Sequence, residues 1–225
     1  MKIRRIPAVA GAVSALALLS AASALAAGPA VSVRVEGLKR TLLATTTVHA
    51  GTGSITKGRT PAGACPAASG AGALDAATHH RWDGTYSSGL GIAVTTILGE
   101  THTFTSPDYW SIWVDNVSAS FGICELELHK GEHLLFAPAP AKGTVFPAGL
   151  IAPRKATAGT SFTVKAIYYT AKGKAKPLSG AVVDGVKTNA RGKATITPAH
   201  AGRLELTASR AGYIRSAAAT VAVTG

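Results

Sequence analysis

From Ser161 onward the chain is cut into short runs in which apolar and polar residues alternate: Ser161–Tyr169, Gly180–Val183, Lys193–Thr197, Arg203–Ala208 and Ala218–Val223. Lys172-Gly173-Lys174, Asn189-Ala190-Arg191-Gly192, Ala201-Gly202 and Ala211-Gly212 separate them. A period of two sends successive side chains to opposite faces of a strand, so Leu204, Leu206 and Ala208 share one face. Strands this short, with a turn signal about every ten residues, argue for an antiparallel sandwich.

The N-terminus follows a different logic. Lys2, Arg4 and Arg5 precede an apolar Ala/Leu-rich run, Ile6–Leu19, and then the small-x-small triplet Ala24-Leu25-Ala26. That order is a secretory signal peptide, residues 1–26. Arg4-Arg5 raises a twin-arginine route, and an N-terminal membrane anchor is the competing reading. No later stretch approaches the roughly 18 apolar residues of a membrane helix, so no transmembrane span is expected after signal cleavage. The expectation is a secreted, extracellular protein, free or held at the cell surface by non-covalent contacts. The dominance of Ala, Gly, Val and Thr is that of a GC-rich bacterial gene.

Composition removes other classes. With 47% hydrophobic residues the chain is not low-complexity disorder, and two cysteines are too few for a disulfide-dense mini-protein. Its 25 glycines have no three-residue period, which excludes collagen. In an exported chain Cys65 and Cys124 read as one disulfide. The alternative is two free thiols, one of them a nucleophile.

Three prolines and a glycine mark Phe136–Pro147 as a semi-rigid connection. It divides the chain into a first domain, 29–137, a Pro-rich linker, 138–147, and the sandwich, 148–225. In the first domain Val31–Glu36, Arg40–Val48, Ile92–Leu98, Tyr109–Val114, Glu125–Leu128 and Glu132–Phe136 read as strands. Residues 50–72 form a long loop, Gly72–Thr78 a short helix, and Asp115-Asn116 a two-residue turn.

No strong catalytic constellation emerges, and the chain is expected to be no enzyme. His129-Lys-Gly-Glu-His133 matches the H-x-x-E-H string of inverted zinc proteases, which needs both imidazoles on one helical face. Gly131 at its centre, between strand-like runs, makes a turn instead, and no metal site is expected. His79-His80 reads as a solvated loop pair, because adjacent residues share no face. Glu125 and Glu127 lie on one strand face without the context of a glycosidase pair. There is no G-x-S-x-G elbow, P-loop or dinucleotide fingerprint, and no cofactor is expected from these motifs.

Aromatic residues offer a binding surface instead. On a strand, Trp110, Ile112 and Val114 share one face, and Tyr109, Ser111 and Trp113 the other. One face belongs to the core. The other could form a platform for a planar ligand or a sugar, with Trp82, Tyr86 and Phe121 alongside, or lie covered beneath the helix or the 50–72 loop.

The formal charge is +12. Between 148 and 225, twelve Lys and Arg residues face only Asp184 and Glu205. Outside the cell the partners implied are anionic envelope polymers or phospholipid head groups. Nucleic acid is not expected, since no reading motif is present.

Two stretches carry family resemblances. Val33–Gly37, Ser88–Glu100, Tyr109–Asn116, Ala119–Gly122 and Leu128–Glu132 together resemble the transcobalamin C-terminal-like family, with Asp115-Asn116 in place of its Asn-Gly turn and Glu132 in place of its Asp. The resemblance implies a small β-rich domain with a helix on its sheet, and a cobalamin-type ligand. In vertebrate carriers such a domain covers one corrinoid face and a helical barrel, which this chain lacks, covers the other. Pro177–Val183, Thr188–Ile196 and Ala208–Tyr213 resemble bacterial Ig-like and carboxypeptidase-regulatory-like domains, which implies a spacer or adhesive module without catalytic residues. The fold class expected is therefore mainly β, a small β-rich domain with one helix followed by an antiparallel Ig-like sandwich.

Overall fold

Val31, Val33 and Val35 are almost fully shielded from water, so the first strand, β1 (Ala30–Glu36), belongs in the middle of a sheet. A computed structural model describes residues 28–225 and puts it there. The reading of 1–26 as a signal peptide lies outside the described residues. The protein is mainly β, in antiparallel and mixed sheets, with one α-helix among the described residues.

The first domain contains β1, β2 (Thr41–His49), α1 (Gly70–Thr78), β3 (Trp82–Ser87), β4 (Gly91–Ile97), β5 (Glu100–Thr101), β6 (Asp108–Val114), β7 (Val117–Ser118) and β8 (His133–Pro140). Its main sheet runs β2-β1-β8-β6-β7, with β1 and β8 parallel and the other pairs antiparallel. The smaller sheet, β3-β4-β5, and α1 contribute Trp82, Ile92, Ile97 and Leu74 to one core with Val33, Trp110, Leu134 and Phe136. Asp115 and Asn116 make the tight β6–β7 turn, both at positive φ (48° and 69°), the conformation these side chains tolerate best after glycine.

Three local expectations change. Residues 82–87, for which the sequence predicts no element, form a strand, β3, hairpinned to β4. Glu125–Leu128 forms no strand: the Ile123 and Leu126 carbonyls instead accept from Ala71 and Gly70 N–H at the start of α1. The helix begins earlier, capped by the Ser69 hydroxyl, and Gly72 lets it pack closely, since a Cβ there would stand 1.7 Å from the Ala67 carbonyl oxygen.

The second domain contains β9 (Phe146–Ile151), β10 (Lys155–Thr157), β11 (Phe162–Tyr169), β12 (Ala175–Pro177), β13 (Val182–Val183), β14 (Val186–Lys187), β15 (Lys193–Ile196), β16 (Gly202–Leu206), β17 (Ala208–Ser209), β18 (Tyr213–Ile214) and β19 (Ala219–Thr224). Its sheets are β12-β11-β9-β18 with β15 also on β11, β10-β19-β16, and β14-β13-β17. Val164, Ala166, Leu178, Val183, Ile196, Leu206 and Val221 fill the core between them. Most pairs are antiparallel, but β10 with β19 and β18 with β9 are parallel.

Half of the segment read as linker, 138–147, is strand. β8 runs through Pro140 and β9 starts at Phe146, leaving 141–145 as the connection. The domains also touch. Ile214 and Val145 pack on Trp113, Leu135, Ala137 and Ala139, the face of the main sheet opposite its core. Glu36, 1% exposed, accepts from Arg34 Nη1 at 2.7 Å and from Arg215 Nη1 at 2.9 Å, while Thr41 donates to both its oxygens. Arg34 Nη1 also reaches the Arg215 carbonyl at 2.9 Å. A buried carboxylate thus joins strand β1 to the second domain.

Candidate functional site

The aromatic residues singled out by the sequence do not form one platform. Trp82 is 3% exposed in the first core, its Nε1–H donating to Asp75 at 2.8 Å. Trp113 is covered by the second domain rather than by the helix or the 50–72 loop. Tyr109 is half-buried against Phe104, ring centroids 5.1 Å apart. Tyr86 is half-buried against the first core, and Phe121 is exposed.

Phe121 instead belongs to a cleft of about 580 Å³ between β4 and β6. Leu90 from the β3–β4 turn, Phe104 and Phe121 line it, exposed at 76%, 68% and 65%. Ile92, Trp110, Ile112 and Phe136 form apolar wall, with Ser111, Ser118 and Ser120 among the polar groups. Three large apolar side chains at one concave opening are what a binding site requires and an ordinary surface does not.

The strand pattern explains why this cleft has polar handles. β7 pairs only with Trp113 and Val114, and the Ala119 N–H donates to the Ile112 carbonyl. Ile112 therefore directs its backbone away from β8, and so, two residues earlier, does Trp110. The N–H and C=O of Trp110 face the open side of β6 beyond the end of β7. Across the cleft, β5 covers β4 only at Thr96 and Ile97, so Gly91–Val94 has no strand on that side. The Trp110 indole Nε1–H is buried without a partner.

The cleft's position depends on Cys65 and Cys124. They form a disulfide with Cα atoms 4.8 Å apart, tying the long 50–69 loop to the Ile123–Leu126 turn behind Phe121. There are no free cysteines among the described residues.

Beside it, His102 is 5% exposed and lies edge-on to Trp110, centroids 5.0 Å apart. Its ring nitrogens meet Asp108 and Glu100. Glu100 also accepts from Leu38 N–H at 2.8 Å. Burial alone would raise the Glu100 pKa, but the His102 and Leu38 hydrogen bonds outweigh it and hold the carboxyl below its ordinary 4.5. A depressed carboxyl stabilises the fold fully above its unfolded pKa and loses that contribution as pH falls through the folded value. Acid unfolding monitored by tryptophan fluorescence should therefore show a stability loss beginning below about pH 4.5 that is smaller in Glu100→Gln.

A larger groove of about 880 Å³ lies between the domains. Its charged groups satisfy one another: Arg215 pairs with Glu36, and Arg210 donates to the Ser179 carbonyl and lies over Tyr213. It offers less to a ligand than the smaller cleft.

The histidine strings stay local. His129 pairs with Glu132, and its partner in the string, His133, meets Ser32, with Gly131 at φ 90° between them. His79 and His80 both have positive φ at the C-terminus of α1, and His80 meets Asp75 at 2.5 Å. Among the described residues no group of three or more His, Cys, Asp or Glu side chains could hold a metal ion, and no helix is long and apolar enough to cross a membrane.

The sequence could have revealed Leu90 and Phe104, since each is a large apolar residue flanked by glycine or polar residues in a turn-rich stretch. It gave no sign that Trp110, on the face assigned to the core, would also reach the cleft.

No protein-family profile matches the chain, and no curated protein matches it. One solved structure to which it is similar is a "putative metal binding protein" from Ruminococcus gnavus ATCC 29149, at 12% identity and a TM-score of 0.36, covering 51% of this chain and 99% of that one. A likeness at that score carries no argument about the fold or the function of this chain.

Proposed function

We propose that the protein is an exported, non-enzymatic binding protein whose first domain takes a planar, mainly apolar small molecule in the β4–β6 cleft. The observation that carries this reading is the convergence of exposed Leu90, Phe104 and Phe121 on a cleft walled by Trp110, whose Nε1–H has no partner. An apolar body would cover the three side chains and pack on the Trp110 wall. The resemblance to the transcobalamin C-terminal-like family supports a corrinoid as the first compound to try.

The test is a visible-absorbance and calorimetric titration of residues 27–225 with cobinamide and with protoporphyrin IX. Saturable binding of either with Kd on the order of micromolar is expected, weakened about tenfold or more in Phe121→Ser and Leu90→Ser through lost apolar contact. Trp113→Ala, remote from the cleft, should leave it nearly unchanged. Absence of binding by both compounds overturns the reading.

The excess of cations in the second domain favours a second reading, an interaction protein held at the cell envelope.

A further inference from the structure

Of the twelve Lys and Arg residues between 148 and 225, only Arg203 and Arg215 meet a carboxylate among the described residues. Two of the others are placed against each other. Lys165 on β11 stands directly opposite Lys193 on the antiparallel strand β15. Side chains so paired leave the same face of a sheet with Cβ atoms about 5 Å apart, and like charges there are destabilising. The register is no accident of a loose edge. Asn189 Oδ1 accepts from the N–H groups of both Arg191 and Lys193, fixing the turn that delivers Lys193. Val164, Ala194 and Ile196 in between are buried in the core, so a one-residue slip is forbidden.

The rest of that face is largely apolar, with Ile167 itself 7% exposed. Ile151 on β9, the other neighbour of Lys165, is 56% exposed. Next along, Gly149 lies opposite Ile167, and a Cβ at Gly149 would come within 3.0 Å of Ile167 Cγ1 and 3.2 Å of Tyr169 Cε2. The glycine lets these two side chains lie down over the sheet. Thr163 and Thr195 add hydroxyls at the far end.

We infer that this sheet face binds an anionic polysaccharide, with carboxylate or sulfate groups bridging Lys165 and Lys193 and sugar rings lying on Ile151 and Tyr169. Charge complementarity selects the sign of the partner. The Tyr169 ring, lying over Gly149, selects its shape: a sugar ring stacks on such a surface, whereas insertion into a bilayer would require an amphipathic element with several protruding apolar side chains, and on this face only Ile151 among the described apolar residues is strongly exposed. The strip from Lys165 to Tyr169 spans about 13 Å of strand, several sugar units rather than one ion. The inference deepens the envelope reading and rests on the chain being exported.

The experiment measures binding of residues 27–225 to polygalacturonate, dextran sulfate, neutral dextran, and vesicles with and without phosphatidylglycerol. Binding to one or both anionic glycans and not to neutral dextran is expected. Lys165→Gln/Lys193→Gln should weaken it about tenfold with a flatter salt dependence and leave Tm unchanged or raised. Lys172→Gln/Lys174→Gln removes the same charge from the β11–β12 hairpin and should change affinity less than about twofold. Equal losses in both pairs would make the binding net charge alone and overturn the inference. Binding to anionic vesicles alone also overturns it, yet leaves envelope attachment standing. Binding to nothing removes both.

Discussion

Glu36→Ala is expected to cost roughly 3–5 kcal/mol of stability, the loss seen when one member of a buried ion pair is removed. Glu36 is 1% exposed, and its partners Arg34 and Arg215 have side chains exposed by 10% and 18%. Burial, joined by the nearby Arg215 cation, holds the Arg34 pKa below its ordinary value despite Glu36, so its guanidinium is already poorly solvated. Without Glu36, two cations and the Thr41 hydroxyl would share a dry space with no anion. Glu36→Gln keeps an acceptor but not the charge, and should fall between alanine and the parent. Urea unfolding supplies the measurement. A change below about 1 kcal/mol, the range of exposed pairs, would show that water enters the junction freely. Because Arg215 comes from the second domain, limited proteolysis at 141–145 should quicken in the same variants.

The second large effect concerns the disulfide. Replacing Cys65 and Cys124 together with serine should cost roughly 4 kcal/mol in the chain-entropy model, for a loop closed across 59 residues. Both cysteines are buried, at 0% and 5% exposure, so the hydroxyls would add a desolvation cost. The bridge holds the turn whose carbonyls receive the first N–H groups of α1, and the same turn backs Phe121. The double variant should therefore lose cleft binding under conditions where it remains folded. Parent protein treated with a reductant should show the same fall in the denaturation midpoint. If the midpoint stays put, the 50–69 loop is pinned by its packing alone.

How far the sequence revealed all this depends on where each residue's partner lies. Strands with strict alternation, such as Arg203–Leu206, or with concentrated β-branched and aromatic residues, such as Tyr109–Val114, could be read directly, because their burial follows from their own period. β3 escaped because Gly84 and Ser87 carry no strand propensity, and its pairing with β4 comes from tertiary packing. Glu125–Leu128 looked like a strand because Leu126 and Leu128 alternate with glutamates, but the Leu126 carbonyl instead serves the start of a helix. At the site, Phe121 could be named, whereas Trp113 was open to two readings, a platform or a face covered by the helix or the 50–72 loop, and only the fold shows that the second domain covers it. Glu36 was invisible as a junction. Its partner Arg215 is far away in sequence, and no local pattern marks a carboxylate for burial.

The segment 138–140 was read for its prolines as a joint between domains, and they do something else as well. Even-numbered residues of β8 direct their backbone toward β1, as the Glu132 carbonyl does in accepting from Ser32 N–H. β1 pairs no further than Phe136. Beyond that point the side of β8 turned toward β1 has no strand paired with it, and its next two positions on that side are Pro138, which is buried, and Pro140, which is half-buried; neither has an N–H that needs a partner. The prolines thus let the pairing of β8 stop inside the groove between the domains without stranding a buried donor.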